Sequence, residues 1–409
     1  MKQLPQTVCL IDGGLFQPLA HRLAREFERV LYYRPIDKSF PKTNDAMLGD
    51  GYEDIERIET LMSISTIDET DLFVFPDIHW AEEQEYLRSI GKLVFGSGSA
   101  DALELYRHDF TEAIKEAGLP TVHHEMVTGM KALRKLLEKV EDKYIKVSAV
   151  RGLMETWHHT KYEISKPKLD EIEYDLGCLS EDQEFLVQDS LKCKREIGSD
   201  QIIADGKFPK TVQFAVEGKD KTCLSKMTGN LPKEVRFVNE HMTELLLPVR
   251  GYFSSEIRIG EKDGKPYFTD ITVRHASPAG ETYNAMCKNL GEIILAAAQG
   301  EIVEPVCVER FAAQALITSD IADSANVPIY IDQKIREYVH LYHSCIRSDG
   351  QECVLKTDAK FNEIGSVIGL GKTIEEAIKH CQENAKKIDA YKIGIYTDNL
   401  PEFIKDLET

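Results

Sequence analysis

The sequence predicts an α/β protein of several domains, and three observations support that prediction. The chain has 409 residues, and at roughly 100–200 residues per domain this length corresponds to two to four domains. Near the amino terminus, strand-like apolar runs alternate with amphipathic helical segments, which is typical of a parallel sheet with helical crossovers. From about residue 184 onward strand-like runs predominate, which predicts a second, more β-rich region.

The first predicted elements are a strand, a glycine turn, an amphipathic helix and a second strand within residues 7–33. The first strand ends at the Gly13-Gly14 turn, and apolar residues at helical spacing follow it. Residues 71–78 and 92–98 predict a third and a fourth strand. The segment lacks the full Gly-x-Gly-x-x-Gly fingerprint of dinucleotide-binding domains, which disfavours an oxidoreductase.

The central and carboxy-terminal parts of the chain predict a mixture of helices and strands. Helices are predicted over residues 99–117, 131–140 and 279–298, and a further one begins after Lys372-Thr373. Strands are predicted at residues 144–147, 184–191, 197–206, 211–218 and 364–371. Residues 251–274 predict a β-hairpin, because Asp263-Gly264 suits the positive φ angles of a tight turn.

Charge and composition narrow the classes of partner. With 50 Lys and Arg against 69 Asp and Glu, the net charge is −19, which disfavours a nucleic acid or an anionic membrane as a partner. No apolar run is long enough to span a membrane, and the first residues do not form a signal peptide. The nine cysteines are scattered without a Cys-x-x-Cys pair. We therefore expect a cytoplasmic protein with reduced thiols. As partners we expect small-molecule substrates, and as the oligomeric state a monomer or a homodimer.

The predicted hairpin carries the most informative polar pattern. Asp270, Thr272 and Arg274 are spaced two apart, so they share one face of the second strand, and Glu256 on the first strand can lie opposite Asp270. Two carboxylates, a hydroxyl and an arginine on one face suit a Mg²⁺–triphosphate site, with oxygen ligands for the metal and Arg for a phosphate. The alternative is an exposed hairpin with surface salt bridges.

Lys146 is a second candidate, because it interrupts the apolar strand at residues 144–147. A buried lysine needs an anionic partner, and a nucleotide phosphate would serve; the alternative is a solvated lysine on an edge strand. The pairs His123-His124 and His158-His159 have diverging side chains and no evident third ligand, which disfavours a metal site there. We find no motif of covalent catalysis.

Taken in order, six segments resemble the ATP-grasp ligases, and within them the glycinamide ribonucleotide synthetase (phosphoribosylamine–glycine ligase) family. The resemblance extends along nearly the whole chain. Its segments are CLIDGGLFQPLAHRLA, LVFGSGSADALELYRHDFTEAIKEAGLPT, KYIKVS, FLVQDSLKCKREIGSDQIIADG, YFTDITVRHASP and IGSVIGLGKTIEEAIKHCQENAKKI. The last segment is far from the ATP site and separates this family from other ATP-grasp enzymes.

The resemblance implies a division into three domains. Residues 1–98 would form a Rossmann-like substrate-binding domain that precedes the ATP-grasp core. Residues 99–300 would form the ATP-grasp domain with two α+β lobes, of which the lobe at 122–190 covers ATP. Residues 301–409 would form a small α/β domain.

The resemblance also implies roles for individual residues. Lys146 and Arg274 would be catalytic, and Gly13 and Gly14 would hold a phosphorylated sugar amine. The residues implied to bind ATP are Arg107, Lys146, Gln188, Asp189, Ser190, Leu191, Glu196 and Arg274. Of these, Gln188 to Leu191 would lie near the adenine and Glu196 near the ribose. Together with the pattern of the hairpin, the resemblance points to Glu256, Asp270 and Thr272 as ligands of Mg²⁺ or Mn²⁺.

The implied reaction is the ADP-forming ligation of a carboxylate to an amine through an acyl phosphate, a step of purine biosynthesis in this family. Glycine is the favoured carboxylate, and the amine would be a phosphorylated sugar amine. Several positions depart from the family: Arg107 replaces a lysine, the flap at residues 149–159 keeps one glycine, and a glycine-rich stretch shrinks to residues 227–230. A ligase that joins an amino acid to a different amine therefore stays open, as does a non-catalytic nucleotide-binding protein.

Overall fold

The computed structural model describes residues 4–35, 47–148, 156–218, 221–356 and 362–408, with the side chains of residues 194 and 195 excepted. It is a mixed α/β structure, as predicted. In these ranges the strands are β1 (Leu4–Ile11), β2 (Phe27–Tyr33), β3 (Glu56–Ile58), β4 (Leu72–Val74), β5 (Leu93–Phe95), β6 (His124–Thr128), β7 (Lys143–Val147), β8 (Thr156–His159), β9 (Glu184–Asp189), β10 (Cys193–Ala204), β11 (Val212–Gly218), β12 (Thr222–Thr228), β13 (Arg250–Gly260), β14 (Pro266–Thr272), β15 (Phe311–Ser319), β16 (Val327–Ile331), β17 (Val339–Leu341), β18 (Ser344–Ile346), β19 (Glu352–Val354), β20 (Glu363–Gly371), β21 (Ile388–Ala390) and β22 (Ile393–Ile395). The α-helices are α1 (Gln17–Leu23), α2 (Ile64–Glu69), α3 (Ala81–Ser89), α4 (Asp101–Leu105), α5 (Arg107–Glu116), α6 (Met130–Leu137), α7 (Tyr162–Leu176), α8 (Lys233–Met242), α9 (Ala279–Met286), α10 (Leu290–Ala298), α11 (Ile374–Ala385) and α12 (Ile404–Glu408).

The first sheet is parallel, as the alternation of strands and helices predicts. Its strand order is β3-β2-β1-β4-β5, and every adjacent pair is parallel. Both faces are covered, so consecutive residues such as Val8, Cys9 and Leu10 are all fully buried. The sequence analysis missed β3, because its three residues, Glu-Arg-Ile, form no apolar run.

A nine-stranded sheet forms the centre of the molecule, in the order β14-β13-β10-β11-β12-β15-β20-β17 with β22 beside β15. The predicted hairpin is β13 and β14 at one edge, and Gly264 in its turn has a φ of +67°. The pairing of β12 with β15 joins the segments on either side of residue 300. The proposed domain boundaries stay a prediction.

A four-stranded antiparallel sheet in the order β6-β9-β7-β8 packs with α6 and α7. We call these elements, residues 124–189, the small lobe. It has a hydrophobic core of its own, which includes Met130, Ile145, Leu169 and Phe185. Because β7 lies between β9 and β8, Lys146 is not on an edge strand, and the edge-strand alternative is wrong.

The predicted helix over residues 279–298 is two helices, and this correction has a local cause. Cys287 is extended and forms a β-bridge with Cys307. The Asn289 side chain accepts a hydrogen bond from the Val306 N–H at 2.8 Å and donates one to the Glu304 carbonyl at 3.2 Å. The Lys288 N–H donates to the Val306 carbonyl at 2.7 Å instead of to a carbonyl four residues earlier, so contacts to another segment interrupt the helix between α9 and α10. None of the described helices is long and apolar enough to cross a membrane.

Candidate functional site

A cleft of about 250 Å³ opens beside the edge of the nine-stranded sheet formed by β10, β13 and β14. Strand alternation brings polar side chains to it, because every second residue of a strand faces the same side. From β10 the cleft receives Glu196 and Asp200, and from β11 it receives Glu217. The predicted set of Glu256, Asp270, Thr272 and Arg274 also lines it.

Glu256 and Asp270 are direct cross-strand neighbours in the β13–β14 hairpin. Asp270 accepts a hydrogen bond from Arg107 Nη1 at 2.5 Å, and one of its oxygens lies 3.6 Å from Lys146 Nζ. Burial alone would raise the pKa of Asp270, but the positive charges of Lys146 and Arg107 outweigh it and hold that pKa below its usual range. Asp270 therefore stays ionised.

The Lys146 side chain extends from the small lobe and contacts the nine-stranded sheet. Its side chain is buried, and Nζ donates a hydrogen bond to the Thr269 carbonyl of β14 at 2.6 Å. Arg107, Lys146 and Gln188 surround a cavity of only about 10 Å³. The small lobe and β14 are thus in direct contact at the position where the sequence predicts nucleotide phosphates.

Carboxylates crowd the cleft. Burial, together with the negative charges of Glu196 and Asp270, raises the pKa of Glu256. Burial and the neighbouring charges of Asp200 and Glu256 raise the pKa of Glu217 to about 8. Such mutual repulsion is what a bound divalent cation relieves, and carboxylate oxygens are the ligands that Mg²⁺ takes in proteins. The donor set fits this metal.

Arg274 is held by a residue that the sequence analysis missed. Its Nε donates to Glu104 Oε1 at 2.7 Å, and Glu104 is almost fully buried at the end of α4. Glu104 also accepts from the Val273 N–H at 3.2 Å. No local pattern marks Glu104, because its role depends on a contact across 170 residues of chain. Asp200, by contrast, lies four residues after Glu196 on β10, so alternation could have found it.

Comparison with known proteins defines the fold. No family model matches the sequence, and no curated protein matches it significantly. Solved structures match over nearly the whole chain. Phosphoribosylamine–glycine ligase from Thermotoga maritima superposes with a TM-score of 0.73 at 16% identity, covering 96% of this chain and 99% of that one. The chain has the ATP-grasp fold.

Two further ATP-grasp structures are similar. The biotin carboxylase domain of Hydrogenobacter thermophilus 2-oxoglutarate carboxylase, in complex with MgADP, ADP and bicarbonate, gives a TM-score of 0.68 at 12% identity, with 99% and 94% of the two chains covered. N5-carboxyaminoimidazole synthetase from Staphylococcus aureus, complexed with ADP, gives 0.62 at 14% identity, with 93% and 97% covered. At such identities the likeness shows the fold alone.

The residues predicted near the adenine of an ATP-grasp site divide between two faces of the small lobe. Gln188 pairs with Tyr144 across the β7–β9 ladder, so it shares a face with Lys146. Asp189 pairs with Lys143 and lies on the other face, where the two side chains form an ion pair. Ser190 donates its N–H to the Asp142 carbonyl at 3.3 Å, and Leu191 is half-buried. Only Gln188 of these four lines the cavity with Lys146.

Glu196, predicted near the ribose, lines the carboxylate cleft and accepts a hydrogen bond from Arg258 Nε at 3.0 Å. The predicted substrate turn does not line the cleft. Gly14 has a φ of +109°, and a Cβ there would lie 2.3 Å from a ring nitrogen of His343; Gly13 is exposed, with open space around it. Residues 149–155 of the predicted flap lie outside the described residues.

A second cavity of about 240 Å³ lies beside α1. Phe16, Arg22, Lys288 and Arg336 line it, together with His275. It neighbours the carboxylate cleft, because Arg274 and Ala276 line the cleft while His275 between them lines this cavity. The wall combines apolar surface with these cations and with the carboxylates of Glu281 and Glu337, and the cavity was not predicted from the sequence.

Proposed function

We propose that the protein is an ATP-dependent ligase that joins a carboxylate to an amine through an acyl phosphate and releases ADP and phosphate. One observation carries the proposal: Glu256, Asp270 and Arg274 line one cleft, and Lys146 and Arg107, which line the adjoining small cavity, both contact Asp270. Cations beside a carboxylate pair are what phosphoryl transfer needs, because the reaction depends on positioning and on neutralising phosphate charge. The proposed reaction requires no protein nucleophile.

The arrangement fits ATP and Mg²⁺ with one condition. Glu256, Asp270 and the Thr272 hydroxyl would hold the metal, which supplies charge neutralisation at the phosphates. Lys146 and Arg107 now neutralise Asp270 and would turn to the phosphates when nucleotide binds. A cavity of about 10 Å³ has no room for phosphates, so the small lobe must move away from β14 to admit them. Two of the similar ATP-grasp structures contain ADP, one of them with magnesium.

The residues have separable tasks in this proposal. Lys146 and Arg107 bind and orient the phosphates. Arg274, held in place by Glu104, lines the cleft with Glu256 and Asp270 and would neutralise the charge that develops as the carboxylate receives the phosphoryl group. The Arg274–Glu104 pair fixes the guanidinium before substrate binds, so little reorganisation is required during the reaction.

We propose an amino acid such as glycine as the carboxylate substrate and a phosphorylated amine as the second substrate. The second cavity supports the latter choice, because Arg22, Lys288 and Arg336 on its wall suit a phosphate group. Arg22 and Arg336 are ion-paired with Glu26 and Glu352, so they would share their guanidinium donors between these carboxylates and the phosphate. The similar Thermotoga enzyme, a phosphoribosylamine–glycine ligase, is named for this pairing of substrates. The same cations would suit the phosphate group of an amine other than phosphoribosylamine.

The test is a screen of ADP release with amino acids paired against phosphorylated and unphosphorylated amines, with the product identified by mass spectrometry. We expect ADP formation that requires both substrates together and yields an amide whose mass equals their sum minus water. Tight ATP binding without ADP release for any pair would favour a non-catalytic nucleotide-binding protein. Release that depends on bicarbonate in place of an amino acid would redirect the proposal to a carboxylase.

A further inference from the structure

Three side chains of metal-binding type meet outside the carboxylate cleft. His108 and Glu112 are one turn apart on α5, and His124 is the first residue of β6. Residues spaced by four on a helix project from the same face. One donor atom from each residue lies within 4.8 Å of those of the other two. Metal–ligand bonds of about 2.0–2.2 Å require closer donors than this upper limit, so the side chains would close by small rotations around a single ion. Among the described residues, no other group of three such side chains meets this criterion.

His124 is oriented as a metal ligand before any ion binds. Only 12% of its side chain is exposed, and its Nδ1 lies 3.2 Å from the Val122 carbonyl. A carbonyl can only accept, so in the neutral ring this contact favours the tautomer with the hydrogen on Nδ1 and the lone pair on Nε2. That free Nε2 is the atom 3.9 Å from Glu112 Oε1. Metal-binding histidines are typically fixed in this way by a backbone carbonyl on the other ring nitrogen.

The second histidine pair, His158-His159, makes different contacts from those of His124. His159 is fully buried, and its two ring nitrogens contact the Ser165 hydroxyl at 2.8 Å and the Val140 carbonyl at 2.9 Å. His158 contacts Asp142 at 2.7 Å and stacks on Tyr144. Both are used in the packing of the small lobe. His124 alone of the three combines a fixed tautomer with a free nitrogen directed at another ligand.

We propose that His108, Glu112 and His124 bind a first-row transition-metal ion, with Zn²⁺ the best match. Two imidazoles and one carboxylate are a common zinc ligand set, and three protein ligands leave a fourth position for water. Imidazole nitrogen disfavours Mg²⁺, which prefers oxygen ligands. The site is therefore distinct in chemistry from the carboxylate cleft, and the proposal does not rest on the proposed ligase function.

A metal ion at this site would connect two parts of the fold. α5 packs on the nine-stranded sheet, where Phe110 contacts Phe268 edge to face at 5.4 Å. β6 belongs to the small lobe, and His124 pairs with Gln188 of the cavity next to Lys146. An ion bound by both elements would tie the small lobe to the sheet beside Arg107. Bound Zn²⁺ should therefore raise the melting temperature, since it binds only the folded arrangement.

The experiment is a titration of the metal-free full chain with Zn²⁺ in excess Mg²⁺, followed by a chromophoric competitor and by thermal unfolding. We expect one Zn²⁺ per chain, and at least a roughly 100-fold loss of affinity in His108→Ala and His124→Ala, since even an outer-shell partner is typically worth 10–100-fold. His123→Ala is the matched control, because this neighbouring imidazole is largely exposed and is not in the set. It should bind like the unchanged chain.

Exposed thiols at Cys178, Cys193 and Cys307 could also take zinc, so the titration is repeated with Co²⁺. A spectrum without thiolate charge-transfer bands supports the His–Glu site. Equal Zn²⁺ affinity in the chain and in both alanine variants, or loss of binding in His123→Ala alone, would overturn the proposal. His108 is exposed, so its variant should fold; Glu112→Gln provides a second variant that removes the charge and keeps the side-chain shape.

Discussion

The β13–β14 hairpin and the Gly13-Gly14 turn are both predicted to bind substrate or cofactor. In the structure the hairpin lines the carboxylate cleft and the turn does not. In the hairpin, period-two spacing brings Asp270 opposite Glu256 and into the cleft. In the turn, Gly14 packs closely against the His343 ring and has no room for a side chain. Spacing within one hairpin determines which side chains share a face, whereas a glycine pair indicates only that the backbone needs room. What fills that room depends on the rest of the fold.

The strongest test of the hairpin is Asp270→Asn. This change keeps the size of the side chain and removes the charge that balances Lys146 and Arg107, so metal and phosphate binding should both suffer. We expect ADP formation to fall by about 10²–10³, the usual cost of one lost charge-stabilising contact. The measurement is the rate of ADP release against Mg²⁺ concentration.

Asp263→Asn is the matched control, because Asp263 lies in the exposed turn of the same hairpin and bonds only locally to Lys265 and Tyr267. It should leave the rate and the Mg²⁺ dependence unchanged. If Asp270→Asn also had the original rate and metal dependence, the hairpin would be an ordinary salt-bridged surface element. The contrast with the glycine turn would then disappear.

Lys146→Ala tests whether the alternation rule extends to the small lobe. Losing one hydrogen bond from a charged group should weaken ATP binding roughly ten- to a hundred-fold, measured by calorimetry in the presence of Mg²⁺. Lys143→Ala on the same strand changes the opposite face, where Lys143 pairs with Asp189, so its ATP affinity should stay nearly constant. Equal losses in the two variants would show that the face assignment is wrong.

Local patterns predicted the elements that depend on near neighbours in sequence. The hairpin turn at Gly264, the strand of Lys146 and the Thr373 cap of α11 all follow from short-range spacing or capping chemistry. The break between α9 and α10 and the Glu104 partner of Arg274 depend on segments far away in the chain, so no local signal marks them. The metal-type triad was missed for the same reason, because α5 and β6 meet only in the fold.

The glycine turn can be tested by a paired substitution. Gly14→Ala would place a Cβ 2.3 Å from His343 at a φ of +109°, so we expect the free energy of unfolding to fall by roughly 1–3 kcal/mol. Gly13→Ala meets open space and should leave stability unchanged. Denaturant unfolding measures both. If Gly13→Ala instead raised the KM for the amine at unchanged stability, this would support the substrate role that the resemblance implies for the turn.

The smallest expected effect concerns Glu217. It tests whether repulsion between the carboxylates of the cleft lowers the stability of the folded chain. Burial and neighbouring carboxylates raise its pKa in the folded chain to about 8, above about 4.3 for an unperturbed Glu. Between these values the folded state holds a proton that the unfolded state has released, so stability falls as pH rises through this window. In the presence of a chelator that removes divalent cations, Glu217→Gln should therefore raise the melting temperature at pH 8.5 and leave it unchanged at pH 4. The size will be modest, because Glu217 is surrounded by protein atoms on the wall of an open cleft and its side chain keeps contact with solvent, which screens the repulsion. Excess Mg²⁺ should remove the difference at high pH, since a bound cation relieves the same repulsion. An identical shift at both pH values would mean that Glu217 acts through packing, and the crowding of carboxylates would lose its value as a sign of a cation site.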